Sequence, residues 1–134
     1  SSVFGIGNYL HPNAIETLAK EDIIKKRLTL WGKGERKMQY VFLEDVIKSI
    51  LMSVYFNDGI YNVCGQNYET MMDTAKKIAK FYNSKLSFLV NKVEGETLPF
   101  MKSEKIIKEV KKDFFSNYDE SLNKYLAQIK NKTI

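Results

Sequence analysis

Apolar residues recur at helical spacing in several stretches, separated by short β-like runs and turn residues. Pro12-Asn13 can open a helix running to about Lys26, with Ala14, Ile15, Leu18 and Ile23 among its apolar positions. Arg27 to Trp31 reads as a strand, followed by a glycine turn and a second strand from Met38 to Leu43. Val46, Ile47, Ile50, Leu51, Val54 and Tyr55 then repeat at helical spacing behind Glu44-Asp45, which can cap that helix. Asn57-Asp58-Gly59 is a turn, and Ile60 to Cys64 is a short strand closed by Gly65. Met72, Ala75, Ile78 and Ala79 mark the next helix face, which ends at Asn83-Ser84. Lys85 to Val90 is a strand, and helices near Ser103–Val110 and Tyr118–Lys130 close the chain. Helices interleaved with short strands predict a small mixed α/β domain.

The 134 residues predict a single domain, 1–134, with 44% hydrophobic content sufficient for a core. The longest apolar runs, such as Tyr40 to Leu43, are far too short to span a bilayer, and no signal-peptide pattern opens the chain. One cysteine excludes an internal disulfide and fits a reducing cytoplasm. The net charge is +5, yet of 21 basic residues only Arg27 and Arg36 are arginines. Scattered lysine is mostly solvated surface, and reading base edges usually calls on arginine, so the basic balance argues only weakly for nucleic acid.

The densest candidate chemistry lies in Thr29 to Val46, TLWGKGERKMQYVFLEDV. Its Gly32-Lys33-Gly34 turn lacks the third glycine of a dinucleotide loop and leads into a strand, where such a loop needs a helix. The P-loop pattern is absent as well. On local pattern it is a glycine turn in a hairpin, with phosphate binding the weaker alternative.

The order of segments adds to this. Ser2-Val3-Phe4-Gly5, Trp31 to Arg36, Tyr40 to Val46, Gly59 to Val63, Glu94-Gly95-Glu96 and Ser103-Glu104-Lys105 follow one another. That series resembles the C-terminal part of the NAD-dependent nucleotide-sugar epimerases and dehydratases of the extended short-chain dehydrogenase/reductase family. There the segments read v-y-G-p, G-x-G with a nearby Arg, y-i-x-V-x-D-v, Y-N-[VL], E-G-D and S-K. The resemblance implies a C-terminal substrate-binding lobe. The family's glycine-rich cofactor loop and Tyr-x-x-x-Lys pair precede the v-y-G-p segment at which this sequence opens. The expected reading is therefore a lobe without its Rossmann domain, and the sequence leaves open whether Ser1 and Ser2 are cloning residues. Such a lobe has no catalytic residue of its own. It should neither turn over a nucleotide sugar nor bind NAD or NADP, which the Rossmann domain would hold. In such enzymes the sugar must stay adjustable, so binding energy is best placed on the remote nucleotide diphosphate.

Carried over residue by residue, the resemblance implies a substrate site of Asn13, Trp31, Arg36, Tyr40 and Glu96. Trp31 would offer the nucleobase a stacking face, or else pack in the core or hairpin. Arg36 would meet the diphosphate with its planar fork, although many members place this Arg where Met38 stands here. Tyr40 matches an aromatic close to that Arg, or is a core-facing strand residue. Asn13 would touch the nucleotide or serve as an ordinary helix cap. Glu96 stands for the Asp of E-G-D that reaches ribose hydroxyls, while the Arg preceding that loop is Val93 here.

Other residues read more plainly. His11 has no evident partner, Cys64 ends a buried strand, and Met71-Met72 belong to a helix core face. Lys105, Lys108, Lys111 and Lys112 form a solvated face first and a polyanion patch second. The rival to the nucleotide-sugar lobe is a non-enzymatic basic module that binds nucleic acid or another acidic partner.

Overall fold

A computed structural model of the chain describes residues 1–7, 11–110 and 113–133. Lys111 and Lys112 of the lysine cluster lie outside the described residues. The elements are β1 (Ser2–Phe4), α1 (Ala14–Lys25), β2 (Arg27–Trp31), β3 (Lys37–Met38), β4 (Tyr40–Phe42) and α2 (Leu43–Met52). A 3-10 turn at Ser53–Tyr55 leads on to β5 (Glu69–Thr70), α3 (Met71–Tyr82), β6 (Lys85–Leu89), α4 (Glu104–Glu109) and α5 (Tyr118–Thr133).

Local chemistry explains where the helices start and stop. The Asn13 side chain accepts a hydrogen bond from the Glu16 N–H and so caps α1. A reciprocal pair between Thr70 and Asp73 opens α3, and Asn83, in the left-handed region at φ 53°, closes it. The cap expected of Glu44-Asp45 is not made. Phe42 precedes α2 without a side-chain cap bond, and the two carboxylates sit in the first turn. There Asp45 accepts instead from the Ser116 N–H and hydroxyl, at 2.9 and 2.8 Å, tying α2 to the approach of α5.

Strand pairing departs from the expected hairpin. β2 pairs in parallel with β6, Arg27 opposite Lys85 through Trp31 opposite Leu89, and not with the residues after its glycine turn. The predicted Met38–Leu43 strand is two strands in two sheets: β3 runs antiparallel to β5, and β4 runs parallel to β1. Gln39, between them, is the switch. Its buried amide donates to the carbonyls of Gly65 and Met101, both at 2.7 Å, and accepts from the Met101 N–H at 3.0 Å. One side chain thus satisfies three backbone groups of two distant segments. The predicted Ile60–Cys64 strand does not form. Among the described residues it pairs with no strand in a ladder, and the Cys64 N–H donates to the Ser103 hydroxyl at 2.9 Å.

The core gathers around Phe4, whose ring meets Tyr40, Phe42, Tyr118 and Tyr125 at 5.3–6.3 Å between centroids. Ile15, Leu28, Ile78 and Leu126 complete it from α1, β2, α3 and α5. The face of α2 is the exception. Asp45 and Ser49 are buried, whereas Ile47, Ile50 and Leu51 are exposed, Leu51 at 68%, as are Val54 and Tyr55 of the 3-10 turn that follows. The apolar stripe of this helix points away from the core.

Candidate functional site

The end of β2, Thr29 to Trp31, forms one wall of an open cavity of about 280 Å³. Pro12, Ala14, Thr17 and Leu18 bring the start of α1 to it; Trp31, Arg36, Met71, Glu94 and Gly95 complete the rim. The turn after β2 takes its shape from two glycines. Gly32 (φ 59°) and Gly34 (φ 72°) both lie in the left-handed region. A Cβ on Gly32 would also come within 2.7 Å of a Glu94 carboxylate oxygen.

The loop at residues 94–97 is fastened to this turn. Glu94 accepts from the Lys33 N–H through Oε1 and from the Arg36 N–H through Oε2, each at 2.8 Å. Arg36 Nε donates to the Glu96 carbonyl at 2.8 Å, and the Lys37 N–H donates to the Thr97 hydroxyl at 3.0 Å. Hydrogen bonds from the Arg36 amide first, aided by those of Glu35, Lys33 and Gly34, hold the Glu94 carboxyl below its ordinary range. A ring of backbone N–H groups around a carboxylate is the geometry that turns elsewhere offer to a phosphate.

The five expected site residues part company here. Trp31 is 57% exposed at the cavity rim, with Lys92 Nζ over its ring at 5.8 Å from the centroid. Arg36 lines the same cavity, its Nε committed to the Glu96 carbonyl. Tyr40 is 1% exposed and lies behind the wall. Its hydroxyl donates to the Met71 sulfur at 3.3 Å, its ring stacks on Tyr118, and burial pushes its pKa up. It supports Met71, which faces the cavity. Asn13 is consumed by the fold: its oxygen caps α1, and its Nδ2 donates to the Val3 carbonyl at 2.7 Å. The neighbouring Pro12 and Ala14 line the cavity. Glu96 contributes its carbonyl to Arg36, while its exposed residue is not part of the cavity lining.

Glu94 is the residue that sequence reasoning missed. The signal was present in two parts, a Gly-x-Gly turn with free amides and an acidic residue opening the Glu94-Gly95-Glu96 loop. Their joining across roughly sixty residues is a tertiary event.

The remaining candidates take plain roles. Cys64 is buried, and His11 is exposed. Lys105 lies over the Tyr61 ring at 4.5 Å. Lys20, Lys25, Lys48, Lys77, Lys102 and Lys124, six of the 21 basic residues, each reach a carboxylate in a local pair. Among the described residues, no helix is long and apolar enough to cross a membrane.

No protein-family model matches this chain, and no curated protein matches it by sequence. Solved structures do match it. A GDP-L-fucose synthetase from Naegleria fowleri superposes with a TM-score of 0.87 at 12% identity, over 98% of this chain and 44% of that one. A dTDP-glucose 4,6-dehydratase from Bacillus anthracis, in complex with NAD, gives 0.77 at 16%, over 97% and 42%. A UDP-glucuronic acid 4-epimerase from Bacillus cereus, in complex with UDP-glucuronic acid and NAD, gives 0.74 at 19%, over 96% and 43%. At these identities the likeness establishes the fold alone, a small mixed α/β fold shared with part of each of these enzymes. The chain spans less than half the length of the structures it matches.

Proposed function

We propose that this chain is the nucleotide-sugar-binding lobe of an NAD(P)-dependent epimerase or dehydratase. The observation that carries the reading is that Trp31 and Arg36 line one cavity, an exposed aromatic face beside a guanidinium. That pair suits a nucleobase followed by a diphosphate. The fold likeness supports it, since the matched chains are nucleotide-sugar enzymes by their names. In this reading hydride chemistry belongs to a cofactor-binding half that holds NAD or NADP and the proton-abstracting pair. The present lobe fixes the nucleotide end, so that the sugar end remains adjustable.

Trp31 is the only tryptophan, so its fluorescence reports one place. Uridine or guanosine diphosphate should shift or quench it saturably, with a Kd on the order of millimolar, because ordering a ligand against half a cleft leaves little net affinity. Raising the salt should weaken this binding modestly. Single-stranded DNA should give no tight, steeply salt-dependent binding, which is the signature of a basic module. Tight, salt-sensitive DNA binding with an unresponsive Trp31 would transfer the reading to the rival class.

The bare face of α2 fits the same reading as the surface on which the cofactor-binding half packs. Its inverted pattern, with Asp45 and Ser49 inward and Ile50 and Leu51 outward, has no use in the lobe alone. Leu51→Glu should leave the chain's stability within about 0.5 kcal/mol by urea titration, because the side chain is already solvated. The same substitution should prevent a separately expressed cofactor-binding half from restoring epimerase or dehydratase turnover. A large stability loss in the lobe alone would show that the face is packed internally.

A further inference from the structure

The glycine turn beside the cavity has the geometry of an anion nest, and its guest is a side chain of the same protein. Two left-handed glycines curl the backbone so that the Lys33 and Arg36 amides converge on one point. At that point lies the Glu94 carboxylate, one oxygen to each amide at 2.8 Å. Gly32 is tight against it: an added Cβ would stand 2.7 and 2.8 Å from Glu94 Oε1 and Cγ. The Arg36 guanidinium lies against Gly95, where a Cβ would come within 2.9 Å of one of its terminal nitrogens. Its Nε is held by the Glu96 carbonyl.

We infer that Glu94 is the resident anion of the Gly32–Arg36 turn, a positioning residue that shuts the backbone nest to phosphate and sets the Arg36 side chain as the cleft's anion contact. The functional half of this statement rests on the reading of Arg36 as a diphosphate ligand. The structural half does not. A turn whose amides are already satisfied gains nothing from a ligand phosphate, so the ligand's charge must be met by the guanidinium. Emptying the nest should therefore create an anion site that the natural chain lacks.

Amide hydrogen exchange, read residue by residue in the full chain, tests this with inorganic phosphate and formate as probes. In Glu94→Ala, exchange at Lys33 and Arg36 should quicken by about ten-fold or more, as expected when a charge-assisted acceptor is lost. Excess formate, a carboxylate without the side chain, should slow those two amides again. Phosphate should shift the same amides in the variant and leave them unmoved in the natural chain. Glu94→Gln offers one acceptor oxygen in place of two, so it should release one of the two amides and keep the other. This milder variant serves if the alanine chain folds poorly.

Unchanged exchange at Lys33 and Arg36, or acceleration spread evenly over the whole chain, would overturn the assignment. So would failure of formate to restore protection, or phosphate shifts at these amides in the natural chain. The function reading is tested separately. If the nest behaves as described and Arg36→Ala leaves uridine diphosphate binding intact, that reading falls while the nest stands.

Discussion

Gly65→Ala is expected to cost about 4 kcal/mol or more, enough to consume most of the stability of a domain this size. A Cβ on Gly65 would overlap the Tyr40 carbonyl oxygen, a backbone atom of β4 at the centre of the fold. The Gly65 segment cannot simply retreat. Its carbonyl accepts from buried Gln39 at 2.7 Å, and the Asn67 side chain accepts from the Tyr40 N–H at 3.3 Å. Just before it, Cys64 exchanges two bonds with the Ser103 hydroxyl, at 2.9 and 3.1 Å. Relieving the overlap breaks several buried hydrogen bonds together, and each unsatisfied group adds its own desolvation cost. Urea unfolding followed by far-ultraviolet circular dichroism should show a variant largely unfolded without denaturant. A midpoint close to that of the natural chain would mean that the segment does not press on β4 as described.

Arg36→Ala is expected to lower affinity for a nucleoside diphosphate by roughly one to two powers of ten, the worth of a charge-assisted contact. In this chain by itself that places binding beyond easy detection. On the proposed function, in an enzyme completed by a cofactor-binding half, it should appear as a raised KM with a smaller change in kcat, since the contact serves ground state and transition state alike. Arg36→Lys should recover little, because an ammonium cannot offer the planar fork. Arg27→Ala, exposed at the far end of β2, provides the control and should change binding hardly at all. Equal effects from Arg27 and Arg36 would reduce both to general surface charge.

How much of this was legible in the sequence follows the range of the interactions involved. α1 and α3 were readable because their signals are local: Asn13 before an apolar periodic stretch, and Asn83 after one. Lys85–Leu89 was readable as a strand, but its parallel partner β2 lies nearly sixty residues upstream, and no local cue selects it over the nearer hairpin. The break at Gln39 was equally hidden, since a polar residue inside a strand pattern gives no sign of the carbonyls it will find at Gly65 and Met101. Ile60–Cys64 has the composition of a strand but forms no ladder, and its Cys64 N–H is taken by the Ser103 hydroxyl instead. Trp31 and Arg36 line one cavity, whereas Tyr40 sits behind its wall and Asn13 is spent on a cap. Alternation along β4 could not place Tyr40, because all three of its residues are buried.

The claim that the cleft between Trp31 and Arg36 holds a nucleoside diphosphate is tested most directly by mapping uridine diphosphate onto the chain by nitrogen-15 NMR. Saturable shifts should concentrate on the Trp31 indole N–H, the Arg36 side-chain N–H groups and the start of α1 near Ala14 and Thr17, the residues that line this cavity. The Lys105 and Lys108 amides on α4 should stay still. Shifts confined to lysine-bearing surfaces and abolished by salt, with Trp31 and Arg36 unmoved, would contradict it.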